Sequence, residues 1–177
     1  NSGLAPLSLH VEYNGGAYNG YTINNAFLFG LDYFLHSKDF KNTLNVKVLY
    51  KLINYNAGNN LDGSKMASDI PLQFTLVWGM QDLFGLTGLR FSGFCDFWWE
   101  DHVVAPFLND RSNGYRDWTK VKDAQFVLLS EPQLWYNLGQ HIGVPNFNIG
   151  TEVELSYDFG TGEGFFARPC LGFKWIF

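Results

Sequence analysis

The residues best suited to catalysis in this chain are few. Glu152 and Glu154 lie two residues apart, so a strand would place both carboxylates on one face, as general acid and base chemistry requires. Ser8 and His10 have the same spacing and combine a nucleophile with a base, which is the pattern that a membrane-embedded hydrolase would need. Neither pair lies beside a recognisable substrate-binding motif. We therefore expect no enzyme activity.

Metal-binding residue types are scattered as well. The chain has four histidines and two cysteines, and none has the paired spacing of a metal site. Asp101 and His102 form the best neighbouring pair, and ordinary polar positions are the better interpretation of both. Cys95 and Cys170 fall on opposite phases of their strands, so we expect free thiols rather than a disulfide. The sequence predicts no metal and no cofactor.

A larger set of polar residues shares one phase of a period-two pattern. From residue 149 to 159 apolar and polar side chains alternate strictly, which indicates a strand between two different solvents. The polar phase carries the candidate residues for a solute path: His10, Glu12, Asp32, Lys47, Lys51, Arg90, Asp96, Trp98, Glu131, Gln133, Trp135, Glu152, Glu154, Asp158, Arg168 and Lys174. Structural ion pairing is the alternative role for each of the charged ones.

Aromatic side chains also fall on the polar phase, namely Phe34, Phe94, Trp98, Trp135 and Phe166. Their flat rings would stack on a base or a sugar, and packing of the interior is the alternative role.

The same alternation predicts eight antiparallel strands separated by turn-forming Gly, Asn, Asp and Pro. Their apolar phases span residues 7–13, 23–33, 44–52, 70–80, 89–99, 124–136, 149–159 and 165–177, without one charged side chain. We therefore predict an all-β fold, an antiparallel up-and-down β-barrel that forms a single domain over residues 1–177.

Composition favours a membrane barrel over a soluble one. Aromatic residues make up 18% of the chain and charged residues only 16%. An eight-stranded barrel has no interior room for so many rings, whereas lipid has. Rings at predicted strand ends are typical of interfacial girdles: Tyr13, Trp78, Trp99, Tyr136, Phe159, Phe165 and Trp175. A large soluble lipid-binding barrel is the alternative.

Other classes are excluded by charge and hydropathy. The net charge of −5 disfavours a nucleic-acid partner, and no run approaches the roughly 20 apolar residues of a spanning helix. Short periplasmic turns and longer external loops are typical of transmembrane barrels. We expect external loops at residues 14–22, 56–69, 101–122 and 160–163, and periplasmic turns at 36–41, 81–85 and 139–146.

Several strand-sized segments resemble a known family. They are LSLHVEYNGG (7–16), NNAFLFGLDYF (24–34), FCDFWWED (94–101), EPQLWYNLG (131–139) and GTEVELSYDFG (150–160). Together they resemble the nucleoside-specific channel-forming porin family, and more closely its Tsx-like branch. The resemblance implies an integral protein of the Gram-negative outer membrane, a twelve-stranded monomeric barrel that passes nucleosides. The eight strands here resemble the last eight of twelve, so we expect the first four to be missing.

The resemblance implies a transport function with two partners besides the membrane lipid. One is a small polar solute such as a nucleoside, which would cross by passive diffusion. The other is the barrel-assembly machinery, because the terminal GFKWIF, which ends on Phe177, resembles its recognition signal. If eight strands closed on themselves, the interior would be filled and would not conduct. A structural, adhesive or assembly-partner barrel, with contacts through residues 109–118, is then the alternative.

Overall fold

The computed structural model describes residues 6–18, 21–53, 70–108 and 116–177, and these form an all-β fold. One antiparallel sheet contains nine strands. The strands are β1 (Leu7–Tyr18), β2 (Tyr21–His36), β3 (Asn42–Ile53), β4 (Leu72–Gln81), β5 (Leu89–Val104), β6 (Lys122–Ser130), β7 (Gln133–Tyr136), β8 (Phe147–Tyr157) and β9 (Phe165–Trp175). A 3-10 turn (Leu83–Gly85) and a one-turn helix, α1 (Gly139–Ile142), lie in the connections. The predicted all-β antiparallel fold is confirmed.

The ninth strand arises because one of the eight predicted strands is interrupted. The segment predicted over residues 124–136 appears as β6 and β7, which both pair with β5 on one side and β8 on the other. The register is the same across the break, because Ser130 lies opposite Cys95 and Gln133 lies opposite Ser92. Pro132 cannot donate a ladder hydrogen bond, which accounts for the gap. The nine strands therefore form an up-and-down meander in which β6 and β7 together take the place of one strand between β5 and β8.

The sheet bends around one of its faces. Polar-phase side chains such as Gln73 and Ser156 are almost fully buried, although no second sheet covers them in the described part of the chain. Within the same part, β1 pairs with β2 alone and β9 with β8 alone. Pro169 lies opposite Val153, whose N–H bonds to Pro132 on the other side, so the missing donor of Pro169 faces the outer edge.

The face of the polar phase is not purely polar. Ala26, Leu28 and Leu49 form a fully buried apolar cluster on it, and Val127 is buried there as well. We call this inward side of the sheet the polar face and the other side the apolar face. The interior is thus partly filled beside β2 and β3.

Two of the predicted external loops are wrong in their bounds. β1 continues to Tyr18 and β2 begins at Tyr21, so most of the predicted loop 14–22 is strand. β5 continues to Val104, where it pairs with Lys122 after a bulge, so residues 101–104 and 122 of the loop predicted at 101–122 are strand. The predicted loop 56–69 lies outside the described residues. No helix in the described ranges is both long and apolar enough to cross a membrane.

Candidate functional site

The most buried polar cluster lies on the polar face of β3, β4 and β5. The Lys51 ammonium lies 3.6 Å from the centroid of the Trp98 ring, and the Trp98 indole N–H donates to Glu100 at 2.6 Å. Lys51 and Glu100 are each only 8% exposed. A cation held over an indole, with a carboxylate on the indole N–H, fixes the ring in one orientation. The Trp98 ring is therefore held in one orientation, and it is itself buried.

Two acceptor atoms beside this cluster have no hydrogen-bond donor among the described residues. They are Gln73 Oε1 and Asp96 Oδ1, although the Gln73 amide N–H donates to Thr75 at 3.1 Å. Gln73 lies opposite Trp98 and Thr75 opposite Asp96, so these side chains form two adjacent rows across the sheet. A buried acceptor without a donor costs free energy unless water or a solute supplies one. Gln73 Oε1 and Asp96 Oδ1 therefore keep an unused acceptor capacity in the described part of the chain.

A second network crosses β7, β8 and β9. Gln133 donates to Glu152 and accepts from the Trp135 indole N–H at 2.9 Å. Lys174 Nζ lies 5.0 Å from the centroid of the Trp135 ring. Hydrogen bonds and a cation–π contact hold these groups in place.

An ion pair completes the β8–β9 side. Arg168 donates to Glu154 and to Ser156, and Ser156 is almost fully buried. The carboxylate of Glu154 is thus paired with Arg168, and that of Glu152 accepts a hydrogen bond from Gln133. The two carboxylates are not arranged around a common open position, as an acid and base pair would be.

The polar face of β1, β2 and β3 holds the next group. The Asn45 amide donates to both carboxylate oxygens of Asp32, at 2.8 and 3.0 Å, and Lys47 lies opposite Asp32 in the register. His10 contacts Glu12 at 2.9 Å. Ser8 donates to the Asp32 carbonyl and not to His10, so the structure does not join the nucleophile to its proposed base.

Three more of the predicted residues lie on a strand, in the gap between two strands, or in a turn. Glu131 lies in the β6–β7 gap, where its N–H donates to Phe94. Arg90 lies on β5 opposite Gln81 and Trp135. Asp158 was predicted on a strand, but it lies in the turn after β8, with a positive φ of 47°, and accepts from the Gly164 N–H at 2.6 Å. Its side chain caps that turn, so the prediction that it lines the strand wall is wrong.

One aromatic position also differs from the prediction. Phe159 was expected in an interfacial girdle, but β8 ends at Tyr157 and the Phe159 ring packs edge-on against Trp98 on the polar face. The strand period does not continue into a turn, so the phase at residue 159 changes. Phe166 is buried as predicted on the polar face, where it packs against Phe107.

The connection after β5 folds over the end of the polar face. The guanidinium of Arg116 lies 3.4 Å from the centroid of the Phe107 ring, and its Nε donates to the Thr161 carbonyl. Each ring nitrogen of buried His102 lies 2.7 Å from a backbone carbonyl oxygen, one of Glu100 and one of Asp158. These contacts join β5 to the β8–β9 turn. They were missed from the sequence because 56 residues separate His102 from Asp158.

The turns at the opposite end are joined by charge. Lys41 donates to Asp82 at 2.6 Å, and Asp82 also accepts from the Gly88 N–H. These two hydrogen bonds hold the pKa of the exposed Asp82 carboxyl below its ordinary value. The hydrogen bond to Asp82 and the negative charge of that carboxylate raise the pKa of Lys41.

Among the described residues, no group of three or more His, Cys, Asp or Glu side chains is placed to hold a metal ion. Cys95 and Cys170 are free thiols on β5 and β9.

The fold and site define a class: an antiparallel β-meander whose polar side chains are turned inward and whose apolar side chains are exposed. The chain belongs to the DUF5020 family, which is described as a domain of unknown function and matches residues 2–177. No curated protein matches the chain, and no solved structure does.

Proposed function

We propose that this protein is an integral β-barrel of the bacterial outer membrane that lets small polar solutes, nucleosides among them, diffuse through its interior. The observation that carries the proposal is the inverted burial of the sheet. On the polar face Gln73 is 1% exposed and Lys51 8%, whereas on the apolar face Val11 is 77% exposed and Leu171 73%. A protein in water buries the second kind of side chain and exposes the first.

The size of the exposed apolar face strengthens this argument. Many apolar-face side chains on β1, β2, β3 and β9 are exposed, for example Leu9, Phe29, Val48 and Phe173. Contiguous apolar patches beyond about 600 Å² are rare on soluble monomers. Burial of apolar surface is worth about 25 cal/mol per Å², so lipid contact would stabilise this face strongly.

Strand length supports the same proposal. A membrane-spanning strand needs about 9–11 residues, and β1 to β5, β8 and β9 each have 10 or more. β6 and β7 together span one further crossing. The exposed rings of Phe165 and Trp175 lie at the two ends of β9, as interfacial girdles require. Tyr13, which was also expected at a strand end, lies in the middle of β1, because that strand continues to Tyr18.

The polar face supports a solute path. It carries paired and unpaired hydrogen-bonding groups of both signs, and such a lining selects among permeating solutes. The resemblance to nucleoside channels suggests the solute, and the oriented ring of Trp135 is suited to stack on a base. The terminal strand β9 and Phe177 are the proposed contact with the assembly machinery.

A non-conducting structural or adhesive barrel is the second candidate. The apolar cluster of Ala26, Leu28 and Leu49 favours it, because these side chains fill part of the interior. Such a barrel would expose the connection after β5 to a partner and would pass no solute.

Single-channel recording on the full-length protein in planar lipid bilayers separates the two. A channel gives discrete current steps, and Asp96→Asn should lower its preference for cations because a carboxylate is removed from the polar face. Asp117→Asn, in the exposed connection after β5, is the matched control and should leave ion preference unchanged. Insertion without current, for the wild-type protein at all voltages, would refute the channel and favour the second candidate.

A further inference from the structure

A small recess lies at the end of the polar face beside the turns that join β4 to β5 and β7 to β8. Its volume is about 140 Å³. Strand ends from β4, β5, β7, β8 and β9 line it, so the sheet register builds it and no single segment does. Trp135, Arg90 and Lys174 are the lining side chains that carry aromatic or cationic chemistry.

The Trp135 indole lies flat on the sheet because two neighbours have no side chain. Arg90, Trp135, Gly150 and Gly172 form one row across four strands. A Cβ at Gly150 would lie 2.4 Å from Cε3 of the indole, and one at Gly172 would lie 3.1 Å from its Cη2. The two glycines therefore form a floor under the ring, and Gln133 fixes its rotation through the indole N–H.

The cations beside this ring have no acidic partner in the part of the chain that the structure describes. Within the described ranges, neither Arg90 nor Lys174 is in an ion pair. Asp82 also lines the recess, but its carboxylate is bonded to Lys41 and to the Gly88 N–H. Two uncompensated cations in a lined recess favour an anion there. A guanidinium binds a carboxylate through two parallel hydrogen bonds, and an indole stacks on a flat ring.

We propose that Trp135, laid on Gly150 and Gly172 between Arg90 and Lys174, is a binding platform for a small aromatic carboxylate. This deepens the proposed function, since it names a solute class for one end of the same polar face. The next row of that face carries Glu152, opposite Gln133. Its negative charge confines an anion to the recess at the turn end.

The test is a measurement of equilibrium binding to the wild-type protein in detergent. Ligand-observed NMR monitors the binding of three probes. Benzoate has the ring and the charge, benzamide has the ring alone, and cyclohexanecarboxylate has the charge without a flat ring. We expect benzoate to bind about tenfold more tightly than either analogue, because benzamide lacks the charged hydrogen bonds and cyclohexanecarboxylate lacks the flat ring that stacks. Equal binding of all three probes would overturn the platform without any variant.

Substitutions test which residues cause the preference for benzoate. Arg90→Gln should weaken benzoate binding about tenfold and leave benzamide unchanged, because it removes the charged hydrogen bonds alone. Gly172→Ala lifts the edge of the indole and should weaken benzoate several-fold. Lys38→Gln removes an exposed cation from a turn outside the recess and should change nothing. If Arg90→Gln and Lys38→Gln behaved alike, attraction would be non-specific and the proposal would be wrong.

The measurement needs no current across a membrane, so its outcome is separate from that of the channel recording. Selective benzoate binding by a protein that does not conduct would support the binding platform and refute the channel. Conductance without preferential binding of benzoate would refute the binding platform and leave the channel proposal standing.

Discussion

Replacing Val48 by lysine tests whether the apolar face meets lipid. Val48 lies near the middle of β3 and pairs with Leu31 on one side and Phe74 on the other, all on the apolar face. Leu35 lies one residue before the end of β2. Both side chains are 43% exposed, so they differ in their depth along the strand and not in exposure.

The two environments give different magnitudes for these substitutions. At the midplane of a bilayer a lysine on a lipid-facing strand costs about 2–4 kcal/mol, and near the interface it costs about 0–1 kcal/mol. In water a surface substitution changes the free energy of unfolding by about 0.5 kcal/mol or less. We therefore expect Val48→Lys to destabilise the protein by about 2–4 kcal/mol and Leu35→Lys by less than about 1 kcal/mol.

Urea titration of the protein refolded in phosphatidylcholine vesicles measures both free energies of unfolding. Val48→Met is the control for side-chain shape, and it should stay near the wild-type value. Costs below about 0.5 kcal/mol for Val48→Lys and Leu35→Lys alike would refute the reasoning. The apolar face would then lie in water, and the membrane proposal would be lost.

Three further predictions follow from the turns and the cysteines. An impermeant amine label on intact cells should reach Lys120, and should not reach Lys38 or Lys41; labelling of Lys38 with Lys120 protected would invert the topology. Cys95 and Cys170 should stay unpaired, and mass spectrometry of unreduced protein would reveal a bridge if the predicted phases were wrong. The Lys41 hydrogen bond keeps the pKa of Asp82 below its ordinary value, so the stability that this pair contributes is present at neutral pH and is lost as pH falls through the lowered pKa. NMR titration of the Asp82 carboxyl carbon should show the pKa rising in Lys41→Gln, and an unchanged pKa would contradict the role of Lys41.

Strand phase was readable from the sequence because side chains alternate across a strand with a period of two. That rule placed Lys51 and Trp98 on the polar face and Val48 on the apolar face, and the structure agrees with all three. The rule failed where the backbone leaves the strand. Asp158 and Phe159 continue the alternation in the sequence, but β8 ends at Tyr157 and the turn redirects both side chains.

Strand ends were harder to predict because turn-forming residues also occur in strands. The residues Asn14, Gly15 and Gly16 suggest a loop, yet β1 continues through them to Tyr18 because β2 offers a pairing partner along that length. His102 was interpreted as a loop residue for the same reason, although β5 extends past it. Local composition cannot show that a neighbouring strand supplies the hydrogen bonds.

The sequence by itself determined that this is an antiparallel β-protein with one apolar and one polar side, since that property depends only on neighbours along the chain. The tertiary structure alone decided which polar residues meet. Trp135 lies on Gly150 and Gly172 because three strands stand in one particular register, and a shift of one residue in either pairing would remove the floor. The register depends on the sum of many cross-strand contacts between residues far apart in the chain, so no local pattern encodes it.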